Sequence, residues 1–596
     1  THKPEYEIAS CLVGSEMCIR DSPYTGDQKS WLKGFLAGMQ SAKALATSKS
    51  GALTAHQSDV TPIVDILFGT QTGNAEGLAM DAAAVARAQG FQANVQGLDD
   101  ISMDTFSSMK NVIITIATYG EGEMPDNASL FWESLNSSSM PRLSDMKFGV
   151  LGLGDTGYDE FCQAGKLIDM RLEQLGAHRL VDRLDCDVDY EDIASDWINK
   201  TIPLTNDGKS KPIVVTDEKL ANVKSIWNRK NPYPATLRVN KLLSGEQSLK
   251  EIRHFEIDLG DSGITYDTGD ALNIMPINDD ELVKSILLRL NLPSELVLVG
   301  EDKTLADLLK YKYEISTPSR NFIAAIEVQA GDDLLSHVLN NGDKQALADY
   351  LWTKDVLDLL NLNQDIKFTG SEFVGLLKPL QHRAYSISSS PKKHVGSVHL
   401  TVASVRWNSN DREHLGVCST FLADRVDVDE KVGIFVSPNK AFRIPDNNDS
   451  PMIMVGPGTG IAPFRAFLEE RHCIGAEGKN WLFFGDQTRS SDYIYEEELS
   501  ALKDSGVLSR LDLAFSRDQD EKIYVQHKMS EHGEDLFEWL ENGGYFYVCG
   551  DATRMAKDVD QALCDIASKW GNLTADQARE YVNNLKREKR YLRDVY

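Results

Sequence analysis

Long hydrophobic runs are missing from this 596-residue chain: no stretch of 18 or more apolar residues occurs, and the most apolar segments, such as Val112 to Ala117, are strand-sized. That excludes membrane-spanning helices. Cysteine is sparse, eight residues at 11, 18, 162, 186, 418, 473, 549 and 564, with no CxxC pair. A disulfide framework and a zinc-ligand spacing are therefore not expected, metal ligands are assigned to none of them, and a reducing cytoplasm is the expected setting. Positive charge is also short: 62 Lys and Arg against 90 Asp and Glu leave a net charge of −28. Such a surface repels phosphate backbones, so no nucleic-acid partner is expected. No secretory apolar segment with a small-residue cleavage site is seen. At 42% hydrophobic and 26% charged the chain is not disordered, collagen-like or coiled-coil.

At ~150 residues per domain, the length calls for roughly four units. Residues 1–61 read as an N-terminal extension and linker; within it, Ser10 to Ser22 (SCLVGSEMCIRDS) resembles a translated sequencing-adapter run and is left out of fold reasoning. Residues 62–200 alternate β-branched runs with helical patterns (Ile63–Phe68, a helix from Ala75, Val112–Ala117, Phe148–Leu153), which predicts a parallel sheet covered on both faces. Residues 201–230 form a second linker. Strand-like alternation in 231–445 is interrupted by a helical insert at about 278–365, and 446–596 returns to α/β. The predicted fold class is α/β multidomain.

After the first strand comes Gly69-Thr70-Gln71-Thr72-Gly73-Asn74-Ala75, opening a helix. Small hydroxyl residues and glycines there can wrap a phosphate with backbone N–H and side-chain O–H groups. With no Lys and no nucleoside-triphosphate spacing, the loop suits the monophosphate of FMN. Two further loops follow strands: Ala117-Thr118-Tyr119-Gly120, and Leu153-Gly154-Asp155-Thr156-Gly157-Tyr158-Asp159-Glu160-Phe161-Cys162. Ligands of open α/β sheets bind at strand carboxyl ends, so three such loops can converge on one planar ring, with Tyr119 and Tyr158 as aromatic faces. These residues resemble the flavodoxin-like domain of the diflavin reductase family. The resemblance implies phosphate contacts from Thr70 to Ala75 and isoalloxazine contacts from the other two loops.

Arg383-Ala384-Tyr385-Ser386-Ile387-Ser388-Ser389-Ser390 resembles the FAD signature of the ferredoxin-reductase fold, an antiparallel β-barrel. Arg383 can offer a planar fork to a pyrophosphate, and Gly416-Val417-Cys418-Ser419 close backbone approach and a helix N-terminus. By the same resemblance, Thr401, Val402, Ala403 and Trp407 line the flavin and Ser316 is a further contact. Gly456-Pro457-Gly458-Thr459-Gly460, between a strand and a helix, resembles the Rossmann-like NADP lobe. Ser516, Arg517, Lys522, Ile523, Tyr524, Val525 and Gln526 match the segment that holds a 2′-phosphate in these reductases, which favours NADPH over NADH, with Asp558 a further contact. The family likeness places Ser386, Cys549 and Asp594 around the hydride-transfer position and Tyr596 on the flavin face.

The resemblance thus implies FAD, FMN and NADPH, and a converter of hydride into single electrons. Residues 62–200 hold 9 Lys/Arg and 23 Asp/Glu, a net of −14, half the charge of the whole chain. That concentration, densest from Asp182 to Asp192, reads as a steering surface for a basic partner. An N-terminal apolar anchor and a haem domain, which mark other members, are not seen. Trp31 to Gly38, Asn480 to Gly485, Ser516 to Gln519 and Lys586 to Arg590 make the chain similar to the flavoproteins of assimilatory NADPH-dependent sulfite reductases. That similarity implies a haemoprotein (beta) partner subunit with siroheme and an iron–sulfur cluster, and a homo-oligomer within a hetero-oligomeric complex. The alternative is a stand-alone diflavin reductase serving another haem or iron–sulfur acceptor.

Overall fold

The structure, a computed structural model, describes residues 61–596 except 72, 121, 157–159, 189, 207–225 and 343. The expectations for the N-terminal extension, for Thr72, Gly157, Tyr158 and Asp159, and for most of the 201–230 linker lie outside the described residues.

Three sheets organise the rest. The first is parallel, built from β1 (Ile63–Gly69), β2 (Gln92–Gly97), β3 (Asn111–Ala117), β4 (Lys147–Leu153), β5 (His178–Arg179) and β6 (Leu184–Cys186), in the order β2-β1-β3-β4-β5 with β6 also pairing β4. Helix Asn74–Ala88 packs on it through Ala75, Leu78, Ala79, Ala82, Ala83 and Ala86. That stripe has helical spacing, and its small side chains let the helix lie close to the strands.

The second sheet is antiparallel: β7 (Tyr233–Leu242), β8 (Glu251–Asp258), β9 (Ala271–Met275), β10 (Arg383–Ser386), β11 (Ser397–Ser404) and a late strand Lys431–Ser437, after the short hairpin β12 (Arg406–Ser409) and β13 (Arg412–Leu415). Calling the late strand β14, the order is β10-β9-β14-β7-β8-β11. The two end strands meet through the Ile387–Leu400 bridge and the Ser388 N–H donating to His399 O at 2.9 Å, so the sheet closes on itself. Phe255, Ile257, Leu272, Ile274 and Leu400 fill its interior.

Between β9 and β10 lies a helical bundle with its own core, including Ile286, Leu309, Phe322, Leu359 and Phe373. Six of its helices begin at Asp279, Thr304, Ser319, Asp332, Asp355 and Thr369, each accepting a hydrogen bond from the first turn. Short polar side chains at those positions satisfy N–H groups the helix cannot, so the sequence sets where each helix starts. The bundle continues past 365 to Leu376, because Thr369 and Glu372 form a capping box that opens one more helix.

The third sheet is parallel, β17-β16-β15-β18-β19, from β15 (Met452–Val455), β16 (Asn480–Asp486), β17 (Arg510–Phe515), β18 (Tyr545–Gly550) and β19 (Tyr591–Val595). Every residue of β16 is buried, as expected of a central strand covered on both faces. Trp481 in it donates from Nε1 to the Asp512 carboxylate at 2.7 Å. Among the described residues no helix is long and apolar enough to cross a membrane.

Candidate functional site

The phosphate-type loop is held from below. Thr70 Oγ1 accepts from the Gly73 N–H at 2.9 Å, and the Thr70 N–H donates to Asn127 Oδ1 at 2.7 Å. Gln71 Oε1 accepts from the Asp126 N–H at 3.0 Å. The helix that follows has no side-chain cap at Gly73, so its first N–H groups are left for a ligand. Gly73 sits at φ 84°, and a Cβ there would stand 2.7 Å from Pro438 O of the antiparallel domain. A left-handed non-glycine residue costs ~1–2 kcal/mol, so Gly73→Ala is expected to release FMN about tenfold more readily while FAD is retained. Flavin content after gel filtration, resolved by chromatography, checks this; equal loss of both flavins would contradict it.

In the loop after β4, Thr156 donates from its N–H and its hydroxyl to the Asp187 carboxylate at 3.1 and 2.5 Å. Asp187, within the carboxylate-dense stretch from Asp182 to Asp192, thereby fixes this loop. Cys162 points into the core and donates to Cys186 O at 3.4 Å, burial pushing its thiol up to about 12. Its side chain therefore serves packing. Tyr119 donates from its hydroxyl to Val595 O on β19 at 2.6 Å and packs against the nucleotide lobe's core.

In the barrel, Arg383 does not stand free: its guanidinium bonds Glu314 at 3.1 Å and the carbonyls of Gln381 and His382. Glu314 is almost fully buried, and no spacing in the sequence joins it to Arg383. Ser316, Trp407 and Val417 line one cleft of about 230 Å³, together with Arg412 and Arg425 and the carboxylates Asp279 and Asp355, the latter paired with Arg412 at 2.7 Å. Trp407 stacks on His414 and donates to Thr353 O at 3.1 Å. Gly416 precedes the short helix Val417–Thr420, in which Cys418 and Ser419 are buried. Three neighbours on β11 depart from expectation. The Thr401 hydroxyl bonds Tyr495 at 2.7 Å, Val402 lies in the barrel core, and Ala403 packs on the nucleotide lobe. Their side chains are spent on packing, which leaves the main chain for a flavin. Tyr385 lies half-buried against the same core, and Ala384 is exposed.

Ser386, Cys549 and Asp594 come together. Ser386 Oγ donates to Asp594 Oδ2 at 2.5 Å, and Cys549 Sγ approaches the same oxygen at 3.8 Å. Burial holds the Asp594 carboxyl above the usual carboxylate range, against the pull of those two donors, and pushes the Cys549 thiol well up. Gly460 makes this possible: a Cβ there would lie 2.2 Å from Cys549 O, so only glycine lets the nucleotide loop approach. Tyr596 is largely exposed and its hydroxyl lies 3.2 Å from Thr459 Oγ1.

At the other end of the lobe, Ser516 is buried against Asp486, while Arg517 and Lys522 are exposed and neither side chain has a partner among the described residues. Two free cations beside a buried hydroxyl are what a phosphate dianion needs. Tyr524 caps helix Val525–Glu531, Ile523 packs beside it, and Gln526 donates to Asp558 at 3.2 Å, so those predicted residues share one surface.

A parallel sheet with an uncapped phosphate-type loop, a closed antiparallel sheet and a second parallel sheet with a Ser–Cys–Asp cluster between them define a multidomain flavoprotein oxidoreductase. Comparison with known families agrees: residues 66–197 match Flavodoxin, 226–421 the FAD binding domain and 454–561 the Oxidoreductase NAD-binding domain. The chain is 40% identical over 582 residues to the sulfite reductase [NADPH] flavoprotein alpha-component of Bacillus subtilis, covering 96% of each protein. It is 42% identical over 576 residues to that of Vibrio cholerae, covering 96% of this chain and 93% of the relative. The chain belongs to the NADPH-dependent sulfite reductase flavoprotein alpha-component family, and its cofactors are FMN, FAD and NADPH.

Proposed function

We propose that this chain feeds NADPH electrons to a haemoprotein subunit carrying siroheme and an iron–sulfur cluster, which reduces sulfite to sulfide in the cytoplasm. In that complex the chain is a homo-oligomer. When bound, the two flavins supply the conversion of a hydride into single electrons. The observation that carries the reading is the double use of β19. Its Asp594 bonds Ser386 of the barrel, while its Val595 carbonyl and Arg593 hold Tyr119 and Asp126 of the flavodoxin-like domain.

The residues divide the work. Thr70, Gln71, Gly73, Asn74 and Ala75, with Thr72, would hold the FMN phosphate; Ala117 to Gly120 and Leu153 to Glu160 would border its ring. Arg383, Tyr385, Trp407 and Gly416 to Ser419 would hold FAD, and Ser516, Arg517 and Lys522 to Gln526 the 2′-phosphate end of NADPH. Ser386, Cys549 and Asp594 would border the reacting edge of FAD and exclude water from it, and Tyr596 would offer its ring to the flavin face.

The acidic domain already faces basic groups of its own chain. Glu76 meets Lys440 at 2.6 Å, Asp100 meets Lys589 at 2.6 Å and Asp192 meets Lys230 at 3.1 Å. These are exposed or half-exposed pairs, each worth little and screened by salt. The same carboxylates are therefore available to a basic partner. Mixing the flavin-replete chain with the haemoprotein subunit is expected to give sulfite-dependent NADPH oxidation that slows as ionic strength rises from ~0.05 to ~0.5 M. NADPH-driven reduction of one-electron dyes without any sulfite-dependent turnover would favour the stand-alone reductase instead.

A further inference from the structure

The outer face of the barrel turned toward the nucleotide lobe carries imidazoles that electron transfer does not use. His254 and Glu256 are two residues apart on β8, so their side chains share a face. In the antiparallel pairing with β11, Glu256 stands directly opposite His399 and His254 opposite Thr401. Two positions on one strand and one across from them are how a sheet brings three side chains to one point.

The distances bear this out. His254 Nε2 lies 3.3 Å from Glu256 Oε1, and His399 Nε2 lies 3.9 Å from Glu256 Oε2. One ligand atom from each residue falls within 4.8 Å of the other two. The Tyr495 hydroxyl, itself 2.7 Å from Thr401 Oγ1, bonds His254 Nδ1 at 2.9 Å. That bond leaves Nε2 as the outward nitrogen and fixes the ring, as the outer partners of metal-bound histidines do.

His399 is the second observation. It is 2% exposed, its Nδ1 has no hydrogen-bond partner, and its Nε2 stands beyond hydrogen-bond reach of Glu256. A buried imidazole nitrogen with no partner among the described residues is costly unless something else engages it.

We propose that His254, Glu256 and His399 bind a divalent transition-metal ion of the zinc class. Two imidazole nitrogens and one carboxylate suit that ion and leave a further position for water. Glu256 is about one-third exposed and gives the ion a way in. The nearby Arg465 does not oppose it with a free charge, because its guanidinium pairs Glu469 at 3.2 Å and Glu498 at 2.7 Å. Since Tyr495 belongs to the nucleotide lobe and the ligands to the barrel, a bound ion tightens the seam between them. Cysteine counting missed the site because it has no cysteine and its third ligand is 143 residues from Glu256.

The test uses the flavin-replete protein, stripped with a chelator and titrated with Co2+ alone. The expected result is one saturable site per chain with the strong visible d–d absorption of low-coordinate Co2+, displaced by equimolar Zn2+. His399→Gln and Glu256→Gln should each weaken it ~10-fold or more. His337→Gln, at an exposed imidazole of the helical bundle that bonds Asn341, should leave it unchanged. Flavin content reports folding, and if His399→Gln loses flavin the partly exposed Glu256→Gln decides. No saturable binding, a weak six-coordinate spectrum, or binding that survives Glu256→Gln overturns the proposal.

Discussion

Asp594→Ala is expected to slow anaerobic bleaching of the flavin absorbance by NADPH ~10²-fold, with both flavins still bound. The carboxyl touches both Ser386 and Cys549, at 2.5 and 3.8 Å. Its removal leaves a hydroxyl without its acceptor and an opening at the place where donor and acceptor atoms must meet. Misplacement by ~1 Å costs that much in rate. The raised carboxyl also carries a pH signature. Because the folded chain binds this proton more tightly than the unfolded chain, its contribution to stability is greatest at low pH. It falls as pH rises from the ordinary carboxylate range to the raised value and is flat above. Asp594→Asn, which matches the protonated form in shape, should remove that slope and keep more of the rate than Ala. Stopped-flow bleaching and stability against pH measure both, and an unchanged rate in Asp594→Ala would remove the cluster from the hydride position.

The second large effect belongs to coenzyme choice. Replacing Arg517 and Lys522 together by Ala should raise the KM for NADPH ~10²-fold and leave that for NADH nearly unchanged. Each is an exposed cation without a partner among the described residues, close in sequence to the buried Ser516, so its charge is available to a 2′-phosphate. A charge-assisted hydrogen bond contributes ~1.5–3 kcal/mol, and two exposed ones at the low end give ~10². Steady-state kinetics with both coenzymes decide it. Equal losses for NADPH and NADH would mean the two side chains serve the lobe's fold rather than the phosphate.

Much of this architecture was legible because its signals are local. The strands of both parallel sheets are apolar runs, the loops that follow them are short and glycine-rich, and the bundle's helices start at Asp, Ser or Thr. The cluster of Ser386, Cys549 and Asp594 was legible through resemblance alone. Nothing in the spacing of residues 386, 549 and 594 says that they meet. What the sequence hid is long-range in the same way. Asn127 supports Thr70, Asp187 holds Thr156, and Glu314 engages Arg383 from 69 residues away. Thr401 and Ala403 were placed at the flavin by resemblance alone, which does not say where their side chains go. A strand has two faces, and the alternation put those two against the nucleotide lobe.

The same two-faced geometry sets an unusual constraint on β19. Tyr591 and Val595 pack into one core cluster and Leu592 into another, while Arg593 reaches Asp126 and Asp594 reaches Ser386. Odd positions thus face the core that Tyr119 packs against, with Arg593 reaching Asp126, and even positions face the opposite core, with Asp594 reaching Ser386. Point changes can retune either duty separately. Adding or deleting a single residue would exchange the two sets at a stroke, so this segment should drift in composition but not in length.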